Sequence, residues 1–456
     1  MNNKKENERV YYDLNQSQIV VSYQCMFSLY KQVINIMMSA ESEDEIDFDI
    51  MKKAFNKVVE RNDCLRLRFC KRNKKIMQYF LPEDKFENIP VLKFETQKEQ
   101  EKFVNRQRNK AIKYKKGHVV EPYFIRTYDG KSMIFLKVCH LILDLYGLNI
   151  IYNDLFAVYD ALKNNTPLPA APGSFEEVLK KDLKKNDEVV YAKQKEFFEN
   201  LFGNNPEPYY AGISGNDNKY VQKYRAKGKK YLPMFLINNQ SKTYTKDISP
   251  EYVLPLLDYS KQHNTTLSNF LFYTNCLTLS KIDNDLSPIL PLELCNCRGT
   301  LQEKQCAGTK AQSIKGSYMI FDGNKSFDEC VLECAKMQNN LFRYVNFKDQ
   351  DLGAITHKFY KSPFLSTYYP MTFSYVPFTK PKGVKFQLYS NGRFVLPAYV
   401  ALTYDENSNH ISAYYDCQVR SISEQNVERF HNAYLQIIKQ VCENPGILLK
   451  EIKVSI

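Results

Sequence analysis

The stretch FLKVCHLILDLYG, running from Phe135 to Gly147, sets a cysteine, a histidine and an aspartate into otherwise apolar surroundings. The chain has six histidines, at positions 118, 140, 263, 357, 410 and 431. Only His140 leaves a strongly apolar strand with a carboxylate, Asp144, four residues further on. An imidazole at such a strand end can stay neutral near pH 7 and act as a general base. Asp144 is poorly placed to be a catalytic acid itself; an arginine partner would let it fix the turn instead. On residue types alone, a satisfied core histidine competes with the catalytic reading. The pairs Cys295/Cys297 and Cys330/Cys334 have neither C-x-x-C spacing nor a nearby histidine pair, so they read as buried thiols rather than zinc ligands.

These residues need elements to hold them. Tyr123–Tyr128 and Ser132–His140 read as two strands joined at Asp129-Gly130, a strong hairpin signal. A helix follows from Tyr146 to Leu162, with Leu148, Ile151, Leu155, Val158 and Leu162 on one stripe. Asp47–Arg61 reads as a helix with Asp49 as its N-cap, and Cys64–Phe69 alternates as a half-buried strand. Further on, helices are expected at Val189–Phe202, Pro250–His263, Leu267–Lys281, Phe327–Phe342 and Ser423–Cys442. Strands are expected at Pro288–Cys295, Met371–Val376, Pro397–Tyr404 and His410–Cys417. Lys163–Ser174 (KNNTPLPAAPGS) is the most linker-like stretch, and Gly203–Lys230 and Lys361–Pro381 read as further loops. Alternating helices and strands make this an α/β chain of two lobes, 1–170 and 171–456.

Composition narrows the classes. With 44% hydrophobic and 25% charged residues over 456 positions, the chain is globular rather than disordered. Apolar runs such as Val33–Met38 fall far short of the roughly 18–20 residues that span a bilayer. The polar start MNNKKENERVYYDLNQSQ has no signal-peptide pattern, and twelve cysteines in a long chain point to reduced thiols in the cytoplasm. A net charge of +12 favours acidic partners. The charges are dispersed, without zinc-finger, RNP or basic-helix spacing, which argues against nucleic acid.

Several segments together resemble the condensation domains of nonribosomal peptide synthetases, within the chloramphenicol-acetyltransferase-like superfamily. The HHxxxDG signature of that family reads CHLILDL here, from Cys139 to Leu145, followed by Tyr146. Its RHxxLRxRF segment is similar to Arg61–Phe69 (RNDCLRLRF), its LSxxQ opening to Leu14–Gln18, and its HxxTL pattern to His263–Leu267. Arg298, in NCRGT, takes the place of the arginine in a GR dipeptide, although a plain surface arginine would also fit there. The closing strands, helix and NP turn run through Pro397–Pro445. Cys139 and Leu145 replace the first His and the Gly of the signature, and GxFVN is faint at Gly316–Ile320.

The resemblance implies two chloramphenicol-acetyltransferase-like lobes in a V-shaped pseudo-dimer with a central tunnel. His140 would be the catalytic residue, with Cys139, Asp144 and Arg298 structural at the site, and Leu145, Tyr146 and Gly147 along the tunnel. A Gly in the signature allows close backbone approach near the site; Leu145 would narrow or reshape the tunnel, and Gly147, two residues on, would partly compensate. The reaction implied is amide formation between an amine and an acyl or aminoacyl thioester. The thioester would be carried on the phosphopantetheine arm of an acidic carrier protein, with no metal and no tightly bound cofactor. The expected protein is a free-standing cytoplasmic monomer served in trans, with a small-molecule amine as acceptor and no membrane span. Two rivals are an acyltransferase of the same superfamily that uses coenzyme A thioesters to make amides or esters, and a non-catalytic docking protein.

Overall fold

In the computed structural model, the apolar run Ser132–Cys139 has all eight residues buried in the middle of a five-stranded sheet. The structure describes residues 9–115, 117–184, 188–234, 236–237, 239–283, 286–363 and 365–455, with every side chain among them but that of Phe27. Ser132–Cys139 lies antiparallel between Asn35–Ser42 and Val120–Arg126, with Cys139 opposite Asn35. Val384–Tyr389 adds an antiparallel edge beyond Asn35–Ser42, and Val91–Lys93 a short parallel edge beyond Val120–Arg126. The hairpin at Asp129-Gly130 closes through Thr127 N to Lys131 O and Gly130 N to Thr127 O, both 3.0 Å.

The central strand is buried throughout because both sheet faces are covered, and its one charged residue, Lys137, pairs with Glu121 at 2.9 Å. On one face the helix Leu145–Asn164 packs beside the helix Phe48–Arg61. It is tied to the sheet by the Tyr152 hydroxyl, which donates to Met38 O at 2.6 Å and accepts from Leu136 N at 3.1 Å. On the other face the helix Gln97–Asn109 brings Phe103 and Val104 against Met37, Ile125, Met133 and Phe135. Burying one such large side chain contributes about 1.5–3 kcal/mol.

The chain forms two compact units. The first takes in the described residues up to 184 together with 296–311 and 378–391; the second takes in the rest. The boundary expected at 170/171 is therefore not a single cut. The linker-like stretch is pinned inside the first unit, where Arg61 donates to Pro169 O and Ala170 O, and Gly173 N donates to Gln305 O. The later segments contribute the edge strand Val384–Tyr389 and the buried Arg298 to that unit.

Three local expectations change. Asp47, not Asp49, caps Phe48–Arg61, accepting from the backbone N–H groups of Asp49 and Ile50. Asp63–Arg66 forms a 3-10 turn that buries Cys64 and Leu65, and the strand starts only at Leu67. Residues 203–230 hold a helix, Lys219–Arg225, capped by Asn218. Of the two cysteine pairs, Cys330 and Cys334 are buried while Cys295 and Cys297 are half-buried. No helix among the described residues is long and apolar enough to cross a membrane.

The second unit has a six-stranded sheet in the order Gln312–Ile314, Leu292–Cys295, Thr372–Phe378, Ala398–Asp405, His410–Gln418, Ser241–Ile248. Helices Leu267–Asp283, Phe327–Leu341 and Glu424–Glu443 contribute side chains to its core. Glu293, on the second of these strands, is buried with Gln338 Nε2 donating to it at 2.5 Å. Burial dominates and lifts its carboxyl to about 7, against the opposing Gln338 hydrogen bond. The folded state thus holds a proton that the unfolded chain releases near pH 4.5, so stability falls as pH climbs from there toward 7. Glu293→Gln should match the wild type at about pH 4.5 and exceed it by about 3 kcal/mol at about pH 8 in urea unfolding. An equal offset at both pH values would show that Glu293 does not titrate in this window.

Candidate functional site

Where Ser132–Cys139 ends, the backbone turns sharply and carries His140–Leu143 to the start of the next helix. His140 N donates to Ile34 O at 2.8 Å, and its carbonyl accepts from Thr309 Oγ1 at 2.7 Å. Leu141, Ile142 and Leu143 are fully buried, which anchors the turn from within. Gln18 Nε2 donates to Leu141 O at 2.8 Å and to Gln78 Oε1 at 2.7 Å. The glutamine of the opening pattern therefore supports this turn, a task its sequence position did not reveal.

The His140 ring is oriented by Leu143 O, 3.0 Å from Nδ1. A carbonyl only accepts, so Nδ1 carries the proton and Nε2 keeps a lone pair. Burial pushes the imidazole below its ordinary value, with Asp144 the main opposing influence, so the ring is neutral at pH 7. A neutral imidazole with Nε2 unprotonated can accept a proton. The other five histidines are engaged elsewhere: His118 with Asp84, His263 with Asp328, His357 with Ser362 O, His410 with Asp247 and His431 with Tyr415.

Asp144 is the N-cap of Leu145–Asn164 and is 2% exposed. Its Oδ1 accepts from Gly147 N at 2.7 Å and Arg298 Nη2 at 3.1 Å. Its Oδ2 accepts from Arg298 Nη1 at 3.0 Å and from Lys310 N and Ala311 N, each at 2.8 Å. Five donors saturate a carboxylate, leaving nothing for substrate. Burial alone would raise this carboxyl; Arg298 and the surrounding N–H groups outweigh it and hold it below the usual range. Arg298 is equally committed. Besides Asp144, it donates to Cys306 O, Asn296 O and Gly308 O, which uses all five N–H bonds. At 3% exposed it is not the surface arginine that its sequence context allows. Its guanidinium lies 4.8 Å from the centroid of the Tyr146 ring.

Cys139 is fully buried, and burial raises its thiol to about 12, so no thiolate forms near neutral pH. Leu145 and Tyr146 are half-buried at the helix start. Gly147 is buried in the first turn of the same helix. A Cβ at Gly147 would sit 2.9 Å from both N and O of Gly308, so the Gly308 backbone passes close to the chain at this position. Gly308, at φ +138°, faces Phe175, whose ring would lie 2.2 Å from an added Cβ. Gly316, at the start of the segment matched to GxFVN, belongs to the second unit.

Comparison with known proteins adds a second line of observation. The family model described as Condensation domain matches residues 11–287. A plipastatin synthase of Bacillus subtilis (strain 168) is 20% identical over 433 residues, which is 93% of this chain but 16% of the relative. The hybrid PKS-NRPS synthetase pynA of Aspergillus niger is 26% identical over 145 residues, 31% of this chain and 4% of that protein. This chain thus spans only a small part of the length of these relatives. Among solved structures, the starter condensation domain of rhizomide synthetase RzmA in complex with C8-CoA aligns with a TM-score of 0.80 at 14% identity, covering 98% of both chains. The condensation domain of the monacolin K polyketide synthase MokA aligns at 0.79 with 11% identity, over 96% of this chain and 99% of that one. The first condensation domain of the calcium-dependent antibiotic synthetase, with a substrate analogue, gives 0.78 at 13% identity over 98% and 99%.

Proposed function

The chain belongs to the condensation-domain family, with its two chloramphenicol-acetyltransferase-like lobes, and on that premise we propose that it forms an amide between a thioester-borne acyl or aminoacyl group and an amine. The observation that carries this reading is the neutral His140 ring, locked by Leu143 O so that Nε2 is its basic nitrogen. The amine nitrogen bonds to the thioester carbonyl carbon while His140 Nε2 takes the proton the amine sheds. The C–S bond then breaks, and the proton passes to the departing thiolate. Asp144 and Arg298 hold the turn and do not touch substrate. Leu145 and Tyr146 border the passage by which substrates reach His140. No metal or tightly bound cofactor enters these steps.

The donor in this reading rides on the phosphopantetheine arm of an acidic carrier protein that acts on a monomer in the cytoplasm. A net charge of +12 suits such a partner, because charge complementarity speeds encounter. A coenzyme A thioester is the second donor to consider, since the RzmA domain was solved with C8-CoA. Intact-mass measurement of acyl transfer to an amine separates the two. With a carrier-borne donor, kcat/KM should fall as salt rises from about 0.05 to about 0.5 M, because the Debye length shrinks well below about 10 Å. A pantetheine thioester mimic should show little salt dependence. Equal efficiency with coenzyme A and carrier donors at every ionic strength would favour an ordinary acyl-CoA transferase, and no transfer from either would favour a docking protein.

A further inference from the structure

Lys310 is 4% exposed although it carries a charged ammonium. Its Nζ donates to Asp182 Oδ1 and Oδ2, both at 2.9 Å, and to Glu303 Oε1 at 3.1 Å, using all three N–H bonds. Burial alone would lower this lysine, but the two carboxylates outweigh that and keep it charged. Each partner holds a separate piece of backbone. Asp182 sits in the last turn of the helix Phe175–Leu183, where the macrodipole disfavours a negative charge and a cation offsets it. Glu303 turns its other oxygen, Oε2, to Gly299 N at 2.9 Å and Thr300 N at 3.0 Å, immediately after Arg298.

The segment 298–311 therefore closes on itself. One end reaches Asp144 through the Arg298 guanidinium and the other through Lys310 N and Ala311 N. Between them Gly308 O receives both Arg298 Nη2 at 2.8 Å and Asp144 N at 3.4 Å, and Thr309 Oγ1 donates to the carbonyl of His140. The ammonium ties Glu303, near the first arm, to the backbone of the second, and Asp182 ties both to a helix whose start is held by Asp63 at 2.6–3.1 Å. We propose that Lys310 is a positioning residue: its ion pairs set the distance between the two arms that grip Asp144, and through Thr309 they fix the backbone that presents His140. The catalytic part of this proposal rests on the amide-forming reading above.

The test compares Lys310→Met and Lys310→Arg in the full chain, by steady-state kinetics and by hydrogen exchange with mass spectrometry. Lys310→Met should lower kcat by about 10–100-fold with KM little changed, the loss expected when a catalytic group shifts by up to an ångström. Exchange should accelerate in peptides spanning 299–311 and also in those spanning 144–148, which contain the Gly147 N–H held by Asp144. Lys310→Arg should restore most of both. Wild-type kcat in Lys310→Met, loosening confined to 299–311, or failure of arginine to rescue would each overturn the proposal. Should the wild type make no amide from any donor, the functional reading falls, and exchange at 144–148 still decides whether Lys310 sets the grip on Asp144.

Discussion

Replacing His140 with alanine should lower turnover by roughly 10²–10⁴-fold, the range for removal of a positioned general base, while the fold survives. Survival is expected because the backbone at 140 is held without the ring, through its N–H to Ile34 O and its carbonyl from Thr309 Oγ1. Only the Nδ1 bond to Leu143 O is lost. Two measurements check this: kcat with a carrier-borne or pantetheine thioester, and the thermal midpoint. The pH profile adds a third. Burial depresses the proton affinity of His140, so wild-type kcat/KM should stay level below the ordinary histidine value before its acid limb begins. His140→Ala should lack that limb. Unchanged turnover would remove His140 from the mechanism.

Asp144→Ala should yield an unstable or poorly soluble protein rather than a slow, stable enzyme. Its removal leaves the buried Arg298 cation uncompensated and frees the N–H groups of Gly147, Lys310 and Ala311. Breaking a buried pair by deleting one partner costs about 3–5 kcal/mol. The loss should be read as a lowered urea midpoint at pH 7. It should also depend on pH in a set direction. Because the folded carboxyl lies below its unfolded value, its contribution is complete above the ordinary carboxylate range and is lost as pH falls through the folded value. Wild type and variant should therefore converge in strong acid. A well-folded Asp144→Ala protein with normal melting would show that the grip on Asp144 carries little of the stability.

Much of this arrangement is written locally in the chain. The hairpin signal at Asp129-Gly130, the apolar run before His140, the stripe of the following helix and the isolated histidine before Asp144 are short-range patterns. Their elements and the place of the site are therefore legible without coordinates, although the first hairpin strand runs over Val120–Arg126 rather than Tyr123–Tyr128. Boundaries are where such local patterns mislead. The Leu65-Arg66-Leu67 alternation begins inside the 3-10 turn Asp63–Arg66, which buries the adjacent Cys64 and Leu65 before the strand starts at Leu67.

Only the tertiary structure decides how the site is held. Arg298 stands 154 residues from its carboxylate; the family resemblance singles it out, whereas its own neighbours, NCRGT, do not separate a buried partner from a surface arginine. Gln18, Gly147, Gly308, Thr309 and Lys310 matter for which atoms they approach, and such approaches join segments with no shared periodicity. Lys310 looks like one more of the chain's 63 basic residues until Asp182 and Glu303 are seen to surround it. The asymmetry is physical. Hydrophobic periodicity repeats within a few residues and survives in sequence, whereas satisfying a buried charge depends on donors that meet only when the chain has folded.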